Sequence, residues 1–226
     1  MPGAALFDLD RTLISRSSSL ALAGEFRRHG LIGRWQLAKA AVAQVVFVRF
    51  GAGHGRVGQT ADSAMSVLRG VRVEVVQEIA RDGWESVLRP LVYREAVDLA
   101  ASHSACGERV FIVSAALQEV VEVVAQELGF DGAIASRAEV SDGMYTGRLE
   151  RRLYGEAKAE AVDVFAAAEG MELESSTAYS DSHSDVPFLE AVGKPVAVNP
   201  DRALRRVAED RGWPVMRFRT KAFPAR

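Results

Sequence analysis

The sequence predicts an α/β protein: a doubly wound parallel sheet whose first strand is followed by a long helical insertion. Three observations predict it. From Arg109 onward, short apolar runs alternate with segments of helical spacing, the pattern of strand-helix units that build a parallel sheet. A first apolar run, residues 4–9, ends in acids and is too short for a helix. Between them, residues 15–89 are rich in Ala, Leu, Val and Arg at helical spacing.

Each element follows from local residues. Residues 4–9 read as a buried strand, and residues 15–89 as four helices broken near Gly30–Gly33, Gly51–Gly58 and Gly70. Pro90 is expected to open a helix running to His103, because proline suits a first helical turn. Residues 109–113 (RVFIV) form the next strand, and residues 117–128 a helix stopped by Gly129. Residues 133–136 are strand-like, and Asp142-Gly143 between two short runs predicts a hairpin. A helix over 154–168, a strand over 176–180, a strand over 195–198 and an Asp201-capped helix to Arg211 complete the chain. The organisation is thus a core of residues 1–14 and 90–226 interrupted by a helical cap, residues 15–89.

Composition excludes several functions. The 226 residues carry 28 Lys and Arg against 30 Asp and Glu, a formal charge of −2, so the broad basic footprint of a nucleic-acid binder is missing. One cysteine rules out a disulfide framework or a cysteine-rich zinc module. The start, Met1 to Phe7, has no basic region and too short an apolar run for a signal peptide. The most hydrophobic stretch, residues 37–50, is interrupted by Lys39, Gln44 and Arg49 and falls short of the ~20 apolar residues of a membrane span. A cytoplasmic protein without an integral membrane segment is expected, with peripheral membrane contact through the cap as the lesser alternative.

The acids matter by position. Asp8 and Asp10 stand two apart where the first strand ends, and strand alternation would point both to one side. Asp181 and Asp185 repeat the arrangement after the strand at 176–180. In open α/β sheets ligands bind beyond the carboxyl ends of strands. If the two strands are neighbours, their carboxylates converge on a volume that invites a hard cation, and oxygen donors favour Mg²⁺ over zinc. Ser114 follows the apolar run 109–113 and precedes a helix, where a hydroxyl and free N–H groups could hold an anion; taken alone it would be an N-cap. Lys158 lies near a helix start, an electrostatically unfavourable place for a cation unless it faces a bound anion.

The order Asp8-Leu9-Asp10-Arg11-Thr12, then Ser114, then Lys158, then Asp181 with Asp185 resembles the haloacid dehalogenase superfamily, in its phosphoserine-phosphatase-like branch with a helical cap after the first motif. The likeness extends over nearly the whole chain, including Asp142 to Gly147 and Val196 to Pro200. It implies a Rossmann-like core and a Mg²⁺-dependent phosphomonoesterase acting on a phosphorylated small molecule or a lipid phosphate. In that pattern Asp8 is the nucleophile and Asp10 the acid and base. Lys158 is catalytic and, with Ser114 and Ala115, holds the phosphoryl oxygens. Asp8, Asp10, Asp181 and Asp185 surround the metal.

Departures from the branch bear on the substrate. Arg11 stands where phosphoserine phosphatases usually carry Ser, Ser17 where they carry an acid, Ala115 and Ala116 where they carry glycines, and Ser184 where they carry Asn. Arg11, Ser17, His183 and Ser184 are the candidate substrate contacts, and a substrate other than phosphoserine is expected. The apolar cap segment 35–50 suggests a lipid-linked phosphate. Phosphoserine phosphatase proper and a receiver-like phosphoacceptor domain are the alternatives; the second acid at Asp10 and the long insertion argue against the latter.

Other patterns carry less. Gly53-His54-Gly55-Arg56-Val57-Gly58 matches a dinucleotide fingerprint, with Glu78 at the distance of a ribose-binding acid, but it lies inside a helical block without the strand-helix-strand setting that motif needs. His103 and Cys106 lack the second pair of a zinc site, and His103 reads as a helix-end residue. Arg217, Arg219, Lys221 and Arg226 read as a solvated basic tail.

Overall fold

The computed structural model describes residues 3–33 and 65–223. Its centre is a seven-stranded sheet in the order β4-β3-β2-β1-β5-β6-β7. The strands are β1 (Ala4–Phe7), β2 (Arg109–Leu117), β3 (Gly132–Ser141), β4 (Met144–Arg151), β5 (Thr177–Ser180), β6 (Lys194–Val198) and β7 (Val215–Met216). All neighbours are parallel except β3 and β4, the hairpin closed by Asp142 and Gly143. Both turn residues have positive φ, 51° and 76°, as a tight two-residue hairpin of Asp-Gly type requires.

The helices are α1 (Ser18–Ala21), α2 (Ala23–Arg28), α3 (Val73–Gly83), α4 (Arg94–Ala105), α5 (Gln118–Leu128), α6 (Glu156–Glu169), α7 (Val186–Glu190) and α8 (Arg202–Arg211). Alternation along the central strands feeds two cores. Ala5, Phe7, Val110 and Ile112 pack with α3, α4 and α5 on one face. Ala4, Leu6, Phe111 and Val113 pack with α6, α7 and α8 on the other. Burial on both faces explains why these strands read as continuous apolar runs.

The chain works outward from β1 in one direction through β2 and β3, and in the other through β5, β6 and β7. Strand order therefore reverses between β1 and β5, the place where doubly wound sheets bind ligands.

Several expectations are corrected. Pro90 lies in a single 3₁₀ turn (Arg89–Leu91), and α4 starts only at Arg94. The intervening Val92 is extended because it pairs with Ile14. The strand expected over 109–113 continues to Leu117, and Leu117 rather than Ser114 is the N-cap of α5. Pairing with β3 carries the strand onward, with a bulge between Ser114 and Leu117. Residues 132–141 form one strand. Asp201 caps α8 as expected, accepting the Ala203 and Leu204 N–H groups. The glycine-rich segment 53–58 and the apolar segment 35–50 lie outside the described residues. Among the described residues, no helix is long and apolar enough to cross a membrane.

Candidate active site

The site forms where β1 and β5 end side by side. Phe7 is in register with Tyr179, their rings stack at 4.4 Å, and the Asp8 N–H donates to the Tyr179 carbonyl at 2.9 Å. Asp8 and Asp181 thus leave adjacent strands at the same edge, and both are buried.

After Phe7 the chain turns, so strand alternation does not set the direction of Asp10. The Leu13 N–H reaches the Asp8 and Leu9 carbonyls, the Ile14 N–H reaches Leu9, and Arg11 adopts φ 65°. Leu9, Leu13 and Ile14 have no solvent exposure and anchor this turn in the core. Asp10 accepts the Ser18 N–H at 2.8 Å and so caps α1. Burial raises its carboxyl above the usual range, against the pull of hydrogen bonds from Ser18 and Ser17 and the charge of Arg11.

Lys158 organises the opposite wall. It enters from the first turn of α6, which begins at Gly155 with φ 61° and ψ −131°, a conformation open to glycine and hardly to other residues. Its Nζ donates to Asp8 Oδ1 and Asp185 Oδ2, each at 2.7 Å, with 1% of the side chain exposed. Burial opposes the ammonium, but Asp185 and Asp8 outweigh it and hold its pKa above the usual lysine value. Asp185 Oδ2 also accepts the Ser180 hydroxyl at 2.7 Å.

The carboxylates at the strand ends are short of positive charge. Asp8 is pushed up to about 7, first by burial and then by Asp185 and Asp10, despite Lys158. Asp181 is raised by burial and by Asp8 and Asp185, with Arg11 and Lys158 opposing. A cation at these oxygens would relieve both. No group of three or more carboxylate, imidazole or thiolate side chains among the described residues forms a ready-made metal cage. Mg²⁺ does not need one, since it is usually held by one or two carboxylates, waters and substrate phosphate. The donor set fits that ion.

The remaining sequence-predicted residues divide. Ser114 is buried, and its Oγ accepts the Ala116 N–H at 3.1 Å, while Ala115 is exposed at the bulge. Ser184 is half-buried and bonded to Ser182 Oγ at 2.9 Å. His183 is exposed, and its N–H donates to Asp201 Oδ2, so the α8 cap also braces the Asp181–Asp185 loop. His103 does lie near its helix end, where Nε2 meets the Tyr179 hydroxyl at 2.7 Å. Ser180 was not singled out by sequence; a serine closing an apolar run gives no sign that it will hold an acid five residues on.

A model of haloacid dehalogenase-like hydrolases matches residues 5–190. The chain belongs to that family. A "Probable phosphatase" of Mycobacterium tuberculosis is 44% identical over 215 residues, 95% of this chain and 75% of the relative. A phosphoserine phosphatase of the same species is 34% identical over 229 residues, 100% of this chain and 74% of the relative. The crystal structure of a Bordetella pertussis Tohama I protein superposes with TM-score 0.81 at 32% identity, covering 96% of this chain and 98% of that one. A substrate-bound phosphoserine phosphatase structure shares the fold, with TM-score 0.69 at 21% identity and coverage of 96% and 93%. The protein is a hydrolase of the haloacid dehalogenase-like family, phosphoserine-phosphatase-like in sequence and fold.

Proposed function

We propose that the chain is a Mg²⁺-dependent phosphomonoesterase that hydrolyses a small or lipid-linked phosphate ester through an aspartyl-phosphate on Asp8. The observation that carries this reading is the buried Lys158 ammonium, 2.7 Å from both Asp8 and Asp185 at the strand-order reversal. A carboxylate approaching a phosphate dianion faces repulsion of about 4 kcal/mol per charge pair near 4 Å. Lys158 supplies part of the compensating charge from a fixed position.

One oxygen of Asp8 attacks phosphorus, and the bond from phosphorus to the ester oxygen breaks. Asp10, whose raised pKa suits a proton donor, gives its proton to the departing oxygen. The resulting Asp10 carboxylate then takes a proton from water as that water attacks the phosphoryl group. Inorganic phosphate leaves, and Asp8 returns as a carboxylate. Ser114, with the bulged backbone at Ala115, and Lys158 hold the phosphoryl oxygens. Bound Mg²⁺ would neutralise charge between phosphate and carboxylates, held by Asp8, the Asp10 carbonyl and Asp181, with Asp185, which accepts from Lys158 and Ser180, serving it through water or by supporting these ligands. Arg11, Ser17, His183 and Ser184 remain candidate substrate contacts, and residues 15–89 the cap that covers them.

Turnover of para-nitrophenyl phosphate tests the reading. Wild type should hydrolyse it with Mg²⁺, lose activity in excess chelator and regain it when Mg²⁺ is restored. Asp8→Asn, which keeps side-chain shape, should fold normally and show no turnover. Near-normal turnover by Asp8→Asn would refute the mechanism.

A further inference from the structure

The chain segments leading into and out of residues 15–89 run beside the C-terminal segment at the edge of the site. The Ser15 N–H donates to the Leu91 carbonyl and the Tyr93 N–H to the Leu13 carbonyl. On the other side, the Arg94 N–H donates to the Thr220 carbonyl and the Ala222 N–H to the Val92 carbonyl. Lys221 is therefore no solvated tail residue. Its Nζ is 3.3 Å from the Leu91 carbonyl oxygen, the same oxygen that accepts Ser15, and 4.1 Å from the Tyr93 ring centroid. Phe218 supports that ring edge-on at 5.9 Å.

This ribbon borders the catalytic carboxylates. Ser18, three residues beyond Ser15, donates its N–H to Asp10 Oδ1 at 2.8 Å, and Leu13, which accepts the Tyr93 N–H, lies three residues after Asp10. Arg16 lies between Ser15 and Ser17 and is exposed. Neither Arg16 nor Lys221 forms an ion pair with a carboxylate among the described residues. Glu95, the acid that acts on Lys221, is occupied by the Arg219 and Thr220 N–H groups. Burial and the neighbouring Arg16 charge both disfavour the Lys221 ammonium, a deficit that an anion would repair.

We propose that Arg16, Lys221 and the Tyr93 hydroxyl form a rim subsite for a second anionic group of the substrate, a carboxylate or a phosphate. The preferred substrates are then phosphomonoesters that carry another negative charge away from the scissile phosphate. This inference rests on the phosphatase reading above.

Matched substrates test it: 3-phosphoglycerate against glycerol 3-phosphate for a carboxylate, and fructose 1,6-bisphosphate against fructose 6-phosphate for a phosphate. Wild type should favour the more anionic member of at least one pair in kcat/KM, and which pair shows the preference identifies the group. Arg16→Gln and Lys221→Gln should each reduce that ratio by about tenfold, the scale of one charge-assisted hydrogen bond. Lys221→Arg should retain most of it. Thermal melts verify folding, and Arg16→Gln changes an exposed side chain outside the ribbon pairing. A ratio near one for both pairs in wild type, or a preference unchanged in both Gln variants, would overturn the rim subsite while leaving the phosphatase intact. Absence of hydrolysis of all four esters and of para-nitrophenyl phosphate would overturn both readings.

Discussion

Replacing Lys158 with Met removes a cation and keeps most of the apolar stem. In the wild type, each of its two 2.7 Å contacts corresponds to about 6 kcal/mol of Coulomb attraction at an effective dielectric near 20. Desolvating three charges returns much of that, and breaking a buried pair by removing one partner costs about 3–5 kcal/mol. The cost depends on pH because Asp8 can take up a proton instead. Its folded pKa, about 7, is already raised above that of an exposed carboxylate, so the stability it contributes is present at low pH and lost as pH rises through that value. Without the ammonium the raise is larger. The deficit of Lys158→Met relative to wild type should therefore be small at pH 5 and grow to about 3–5 kcal/mol by pH 9. Urea titrations in chelator at both pH values measure it, and phosphatase activity should be absent throughout. Equal stability at pH 9 would refute the charge argument. A deficit identical at both pH values would show that Asp8 protonation does not set the loss.

Gly155→Ala should destabilise by about 1–3 kcal/mol, the cost of a side chain in so sparsely populated a conformation. It should also lower kcat through misplacement of Lys158; a melt equal to wild type would contradict the backbone reading. Burial of Glu95 favours its neutral form, but N–H donation from Arg219 and Thr220 prevails and holds its pKa below the usual value. Attachment of residues 219–220 should thus persist above the ordinary glutamate range and fail as pH falls through the lowered one. Amide proton shifts of Arg219 and Thr220 should titrate with a midpoint below about 4.3, and a midpoint at or above it would sink the assignment.

The sheet and the acids and lysine gathered at the candidate site were legible because they depend on short-range signals. Apolar runs of strand length ending in Asp8 and Asp181 place acids at strand ends, and the alternation of β and α segments predicts a parallel sheet, while the pairing of β1 with β5 makes those two strands neighbours in it. Lys158 was legible for the opposite reason: a cation in a first helical turn is locally unfavourable, so its compensation had to be tertiary, and Asp8 and Asp185 provide it. What escaped is set by pairing between distant segments. Nothing near Pro90 announces that Val92 will be extended against Ile14 and residue 222, so the helix begins four residues later than the sequence suggests. The same pairing converts Lys221 from an ordinary basic residue of the tail into a half-buried ammonium beside Tyr93. Strand β2 outruns its apolar segment because β3 continues to bond it through the bulge, which moves Ser114 from the helix cap into the strand. Local chemistry thus specifies which residues can react. Pairing between segments distant in sequence, Ile14 with Val92 and Val92 with Ala222, specifies what surrounds them.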